Sequence, residues 1–150
     1  MERNLFDIAE ISIRYSYGRI NAENHKITSS KDANTILRQA FQEHMQYHEA
    51  FYIMLLNNNN LVLGVSKISE GGITGTVVDV RLVFQRAIKA NACAMILAHN
   101  HPSGVLKPSD PDKSLTKKLK SAGELLDIKV LDHLILTEDA YYSFADEGFL

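Results

Sequence analysis

The sequence predicts an α/β domain in which a mixed β-sheet is flanked by helices. Segments with the three-and-four spacing of helices alternate with short apolar runs, those runs are strand-length rather than helix-length, and no Pro- or Ser-rich linker or repeat divides them. At 150 residues the chain fits one domain that buries its own core, so residues 1–150 are read as a single unit.

The first strand is expected near residues 8–17, where Ile8, Ile11 and Ile13 alternate loosely and Tyr15 and Tyr17 add strand-favouring rings. Ser29 or Ser30 then caps a helix running to about Gln46, with Ala33, Ile36, Leu37, Ala40 and Phe41 on its inner face. From Glu49 the period changes. Phe51, Ile53 and Leu55 alternate with Tyr52, Met54 and Leu56, which makes both faces apolar and implies a central strand. Residues 57–60, all asparagine, form a turn, and residues 61–68 return as the hairpin partner. A short strand over residues 73–77 follows, then a helix capped by Asp79 with Val80, Val83, Phe84, Ala87 and Ile88 inward and Asn91 at its close. The apolar run 92–98 suits a buried strand. Ser109 starts the next helix, with Leu115, Leu119, Ala122 and Leu126 inward, and residues 130–136 form a strand before a final hairpin containing Tyr141, Tyr142 and Phe144.

Composition excludes several functions. A hydrophobic fraction of 45% and a charged fraction of 23% are those of a soluble protein, and no apolar run approaches the roughly 20 residues of a membrane span. The opening residues lack a basic leader followed by an apolar stretch, so the expected location is cytoplasmic. Cys93 is the only cysteine, which rules out an intramolecular disulfide and a thiolate cluster; within its apolar run it is expected to be a buried, inert thiol. The net charge of −2 provides no general attraction to a polyanion.

The informative segment is Ala98-His99-Asn100-His101-Pro102-Ser103-Gly104, followed by Ser109-Asp110-Pro111-Asp112. In an extended strand, residues two apart project from one face at about 6.5 Å, so His99 and His101 can converge on one ion while Asn100 points elsewhere. Pro102 stops ladder pairing and Gly104 permits a sharp turn, so the chain can fold back and bring Asp112 in from the first turn of the next helix. Three ligands leave a fourth position for water, the arrangement of catalytic rather than structural zinc sites. Fe²⁺, Mn²⁺ or Co²⁺ would also suit these donors. An ion so held lowers the pKa of water to about 7, and a carboxylate must then take and return its proton. Glu49, an ionisable residue opening an apolar strand, is the candidate.

Each residue also has a structural reading. Histidines separated by one residue can cap helices or satisfy core hydrogen bonds, Ser109-x-x-Asp112 is a capping box in its own right, and Glu49 can be a solvated charge at a strand edge. The combination favours the metal.

Glu49, then His99-x-His101, then Ser109-x-x-Asp112 after seven residues resembles the JAMM signature, also called MPN-plus or JAB. His-Asn-His-Pro-Ser-Gly with Pro-Ser-x-x-Asp, continued by Ala122-Gly123-Glu124-Leu125-Leu126 and Leu131-Asp132-His133, resembles more narrowly the RadC branch; the likeness runs from about Glu49 to Phe144. It implies a sheet related to that of cytidine deaminases, zinc on His99, His101 and Asp112, Glu49 as general acid/base and Ser109 assisting an oxyanion. JAMM enzymes with known substrates hydrolyse peptide or isopeptide bonds, so a peptide or protein is the implied substrate. The sequence departs from the JAMM peptidases at Asn100, where they usually carry serine or threonine, and RadC-like chains share that change. A deaminase would need further cysteines that this chain lacks.

Two other function classes stand beside the zinc peptidase. One is a DNA-binding module linked to DNA repair, suggested by the label on RadC relatives and by Lys107, Lys113, Lys117, Lys118 and Lys120. Against it, residues 1–48 show no helix-hairpin-helix pattern, and a lysine stripe opposite Leu115 and Leu119 is the usual solvated side of an amphipathic helix. The other is a non-catalytic interaction domain in which zinc is structural.

Overall fold

The computed structural model describes residue 14 and residues 25–71 and 76–150. Its elements run α1 (Ser30–Ala40), β1 (Ala50–Leu56), β2 (Val62–Glu70), α2 (Val80–Lys89), β3 (Ala94–Asn100), α3 (Asp110–Leu125), β4 (Lys129–Leu136) and β5 (Tyr141–Ser143). The strands form one sheet in the order β2-β1-β3-β4-β5, so the expected mixed α/β architecture is present. β1 runs antiparallel to both β2 and β3, β3 and β4 are parallel, and β5 returns antiparallel to β4. A parallel pair requires a crossover, which α3 provides.

The period-two alternation of β1 places a separate core on each face of the sheet. Met54 and Leu56 join Ala33, Leu37 and Phe41 of the α1 side, whereas Phe51, Ile53 and Leu55 join Val83, Phe84 and Leu119 from the side of α2 and α3. All seven residues of β3 are buried. This strand is therefore a rigid platform, and the ends of its neighbours are fixed with it.

Local chemistry sets the boundaries. Ser29 caps α1 in a reciprocal box with Asp32, and Asp79 caps α2 by accepting from the Arg81 amide. Asn60 adopts the left-handed φ of 58° that the asparagine turn requires, and Asn91 does the same after α2 at 55°. At the end of α3, Gly123 lies directly against the Ile128 carbonyl, where an added Cβ would collide with backbone. Glycine thus permits the end of α3 to close against the chain entering β4.

Four expectations need correction. α1 stops at Ala40 instead of continuing to Gln46; residues 41–47 are turns, tied back through the amides of His44 and Met45 to the Phe41 carbonyl. Ile88 is 55% exposed, because the buried stripe of α2 is narrow and ends with Val83, Phe84 and Ala87. Leu126 is 43% exposed, because it caps α3 as the chain turns through Asp127. Cys93 is exposed, not buried: it precedes β3 at the sheet end, where its backbone pairs with Leu56 and Lys129 and its side chain is left outward. The strand expected at residues 8–17 lies outside the described residues, as do residues 72–75 of the one expected at 73–77; Thr76 and Val77 are not in a strand. Among the described residues, no helix is long and apolar enough to cross a membrane.

Candidate metal centre

The sheet register brings the chemistry together. Phe51 pairs with His99, so the residue preceding β1 lies beside the end of β3, and Glu49 reaches the histidines. Asn100 fixes this junction. Its Nδ2 donates to the carbonyls of His44 (3.0 Å), Met45 (3.3 Å) and His48 (2.8 Å), while its Oδ1 accepts the Ala50 amide at 2.8 Å. The side chain that points away from the histidines therefore stitches β3 to the segment carrying Glu49. Asn100 is fully buried, so Asn100→Ala leaves a buried amide and several carbonyls without partners, at a cost of about 2–3 kcal/mol. A fall in Tm of roughly 5–10 °C is expected, to be checked by calorimetry against the unmodified chain.

His101 leaves the end of β3 as its amide bonds to the Leu136 carbonyl. The chain then turns through Pro102, Ser103 and Gly104, the last with φ of 82°, and returns the Val105 carbonyl to His101 Nδ1 at 2.6 Å. This explains the glycine: the turn holds the imidazole from behind. Ser109 caps α3 by accepting the Asp112 amide at 3.1 Å, and the Asp112 carboxylate accepts the Ser109 amide at 2.8 Å. The capping box and the cluster are therefore not alternatives, because the cap orients the same carboxylate that meets the imidazoles.

Glu49, His99, His101 and Asp112 each offer one donor atom, and these atoms all lie within 4.8 Å of one another. His99 Nε2 is 3.3 Å from Asp112 Oδ1, and His101 Nε2 is 3.3 Å from Asp112 Oδ2. The two Nε2 atoms are 2.9 Å apart, and Glu49 Oε1 is 3.7 Å from His99 Nε2. Ligands of a tetrahedral zinc ion, with bonds of about 2.0–2.1 Å, are separated by about 3.3 Å. Each imidazole stands at that distance from one Asp112 oxygen, the two nitrogens are closer together, and Glu49 stands slightly farther out.

Burial is graded across the cluster. The His99 side chain is 2% exposed, whereas Glu49 is 22% exposed, so the group opens to solvent on the Glu49 side. There it faces a cleft of about 380 Å³ lined by Tyr47, Val105, Lys107 and Ser109 among others. Burial alone would raise the Asp112 carboxyl, but its contacts with the His101 and His99 imidazoles outweigh it and hold the group far below the usual carboxylate range. Burial alone would lower His101, but its bonds to Asp112 and to the Val105 carbonyl win and raise it above its ordinary 6.5.

The sign of the His101 shift yields a test. In the metal-free protein the raised value means that His101 still carries a proton on the Asp112 side above pH 6.5, contributing stability that is lost as the pH rises through the folded value. An incoming ion must displace that proton. Affinity for a divalent metal ion should therefore rise with pH up to a break above 6.5, with proton release below the break, as measured by titration calorimetry in buffers of different ionisation enthalpy.

Behind the cluster lie two residues that the sequence reading did not place in it. His133 of β4 contacts His99 Nδ1 through its Nε2 at 2.7 Å, and its Nδ1 contacts Thr116 Oγ1 of α3 at 2.6 Å. The signal was present: a histidine in the middle of an apolar strand is the same kind of anomaly as Glu49, and Thr116 lies one helical turn after Asp112.

A family model for the RadC-like JAB domain matches residues 27–149. A UPF0758 protein of Flavobacterium johnsoniae is 57% identical over 123 residues, covering 82% of this chain and 53% of that protein. UPF0758 proteins of Staphylococcus haemolyticus and Aliivibrio salmonicida are 41% and 38% identical, covering 89% and 95% of this chain and 58% and 62% of theirs. The chain thus spans little more than half the length of these relatives. Its matched residues include the whole cluster and every element that positions it, and the chain belongs to the family of RadC-like JAB domains.

Proposed function

We propose that this domain is a zinc-dependent hydrolase of the peptidase or isopeptidase type. The observation that carries the reading is the convergence of two imidazoles and a carboxylate, with donor contacts of 2.9–3.3 Å, and a second carboxylate displaced toward an open cleft. His99, His101 and Asp112 would hold the ion, and Glu49 and Ser109 would serve the reaction. Zinc bound there supplies Lewis acidity, which lowers the pKa of water to about 7 and polarises a carbonyl.

The chain's own residues account for the remaining steps. Glu49 takes a proton from the attacking water and passes it to the leaving nitrogen, a transfer that its position at the cleft edge allows. The Ser109 hydroxyl oxygen accepts the Asp112 amide, which leaves its own proton free to donate to a developing oxyanion. His99 and the interior behind it exclude water from one side, so substrate enters from the Glu49 side. Elemental analysis of freshly purified protein and of His101→Ala, followed by hydrolysis assays on peptide and isopeptide libraries, tests this reading. One zinc per chain and amide cleavage support it; a protein with no affinity for zinc refutes it.

A further inference from the structure

The hydrogen bonds behind His99 have a direction that can be read from one end. The Asp112 carbonyl oxygen can only accept, so the Thr116 hydroxyl donates to it at 2.7 Å. A hydroxyl has a single proton. Thr116 Oγ1 must then accept from His133 Nδ1 at 2.6 Å, which places the ring hydrogen of His133 on Nδ1. His133 is fully buried between ring neighbours, stacked on Phe144 and edge-on to Phe51, an apolar setting that disfavours a second ring proton. Its Nε2 is therefore a lone pair that accepts His99 Nδ1–H at 2.7 Å. With Nδ1 turned to His133, Nε2 is the His99 nitrogen that faces Asp112 and His101.

We propose that Thr116 and His133 are positioning residues that lock His99 into its ligand tautomer before any ion arrives. Outer-shell partners of this kind fix the orientation and basicity of a ligating imidazole. Here the chain has an added property, because it terminates on the backbone of Asp112. Three hydrogen bonds thereby tie one cluster member on β3, through β4, to another on α3, so movement of either element misaligns both. The inference rests on the proposed metal role of the cluster for its consequence, but the direction of the hydrogen bonds can be tested without metal.

The test combines long-range ¹H–¹⁵N spectra of ¹⁵N-labelled, metal-free protein with zinc titration against a competing chelator. The expected result is Nδ1–H for both His99 and His133. Thr116→Val keeps the shape and removes the hydroxyl, so the His133 tautomer should no longer be fixed and zinc affinity should fall about 10–100-fold, whereas Thr116→Ser should preserve both. His133→Phe, held between the same aromatic neighbours, should weaken zinc binding to a similar degree with the fold retained. Nδ1–H on both rings with selective loss in the valine variant supports the relay. A His133 hydrogen on Nε2 in the unmodified protein, or unchanged tautomers and zinc affinity in Thr116→Val, overturns it. If the unmodified protein binds no zinc, the metal reading fails by itself and the spectra alone decide the relay.

Discussion

His101→Ala is expected to abolish zinc binding while leaving the metal-free fold intact. His101 lies at the mouth of the cluster outside both cores, and its ring meets His99, Asp112 and the Val105 carbonyl, so truncation opens no cavity in either core. Removing an outer-shell partner costs about 10–100-fold in affinity, and removing a ligand must cost more. The difference can be read in stability. At a free zinc concentration about 100 times the dissociation constant, the unmodified protein should gain about 2.7 kcal/mol, and the variant should gain nothing. Paired thermal melts with zinc and with chelator measure both quantities. Asp112→Ala is a less clean version of the same test, because it also removes half of the α3 capping box, and part of its effect would be fraying of the helix. A His101→Ala protein that melts like the unmodified one in zinc would show that the imidazole is not a ligand.

The parts of the fold legible in sequence were those where one local rule operates. β1 was readable because alternating apolar residues on both faces leave no other placement, and the caps at Ser29, Asp79 and Ser109 because a short polar side chain before an amphipathic stretch has a clear job. The places that failed involve competition between neighbours. The inner face assigned to α1 is followed by a segment whose carbonyls are claimed by Asn100, 52 to 56 residues away, and the chain from 41 to 47 turns instead of extending the helix. Cys93 was misplaced because an apolar run was read as uniformly buried, although its first residues lie at the end of the sheet.

The cluster was legible for a related reason. Its spacing rests on the strand period, the Pro/Gly turn and a helix start, all local, and only the approach of Glu49 depended on a strand pairing that no local pattern specifies. The outer shell depends on tertiary geometry throughout. Thr116, His133 and Asn100 act across elements, so sequence shows at most that a polar group sits where an apolar one is expected.

Glu49→Gln should retain zinc and lose turnover. The change preserves shape but removes the ability to take up a proton, and general acid/base catalysis of this kind contributes about 10²–10⁴ in rate. Retention of zinc is expected because His99, His101 and Asp112 supply three ligands without Glu49, whose Oε1 is 3.7 Å from His99 Nε2. The same variant separates an enzyme from a domain in which zinc is structural. A structural site is closed by four protein ligands, and Glu49 is the fourth available donor in the cluster. If Glu49 completes such a site, the glutamine variant loses affinity for zinc along with any stabilisation by it, and no water occupies the inner shell of the unmodified protein. If Glu49 instead handles protons, zinc content is unchanged and the kcat for amide hydrolysis falls while KM stays near its original value, because the cleft wall formed by Tyr47, Val105 and Lys107 is untouched.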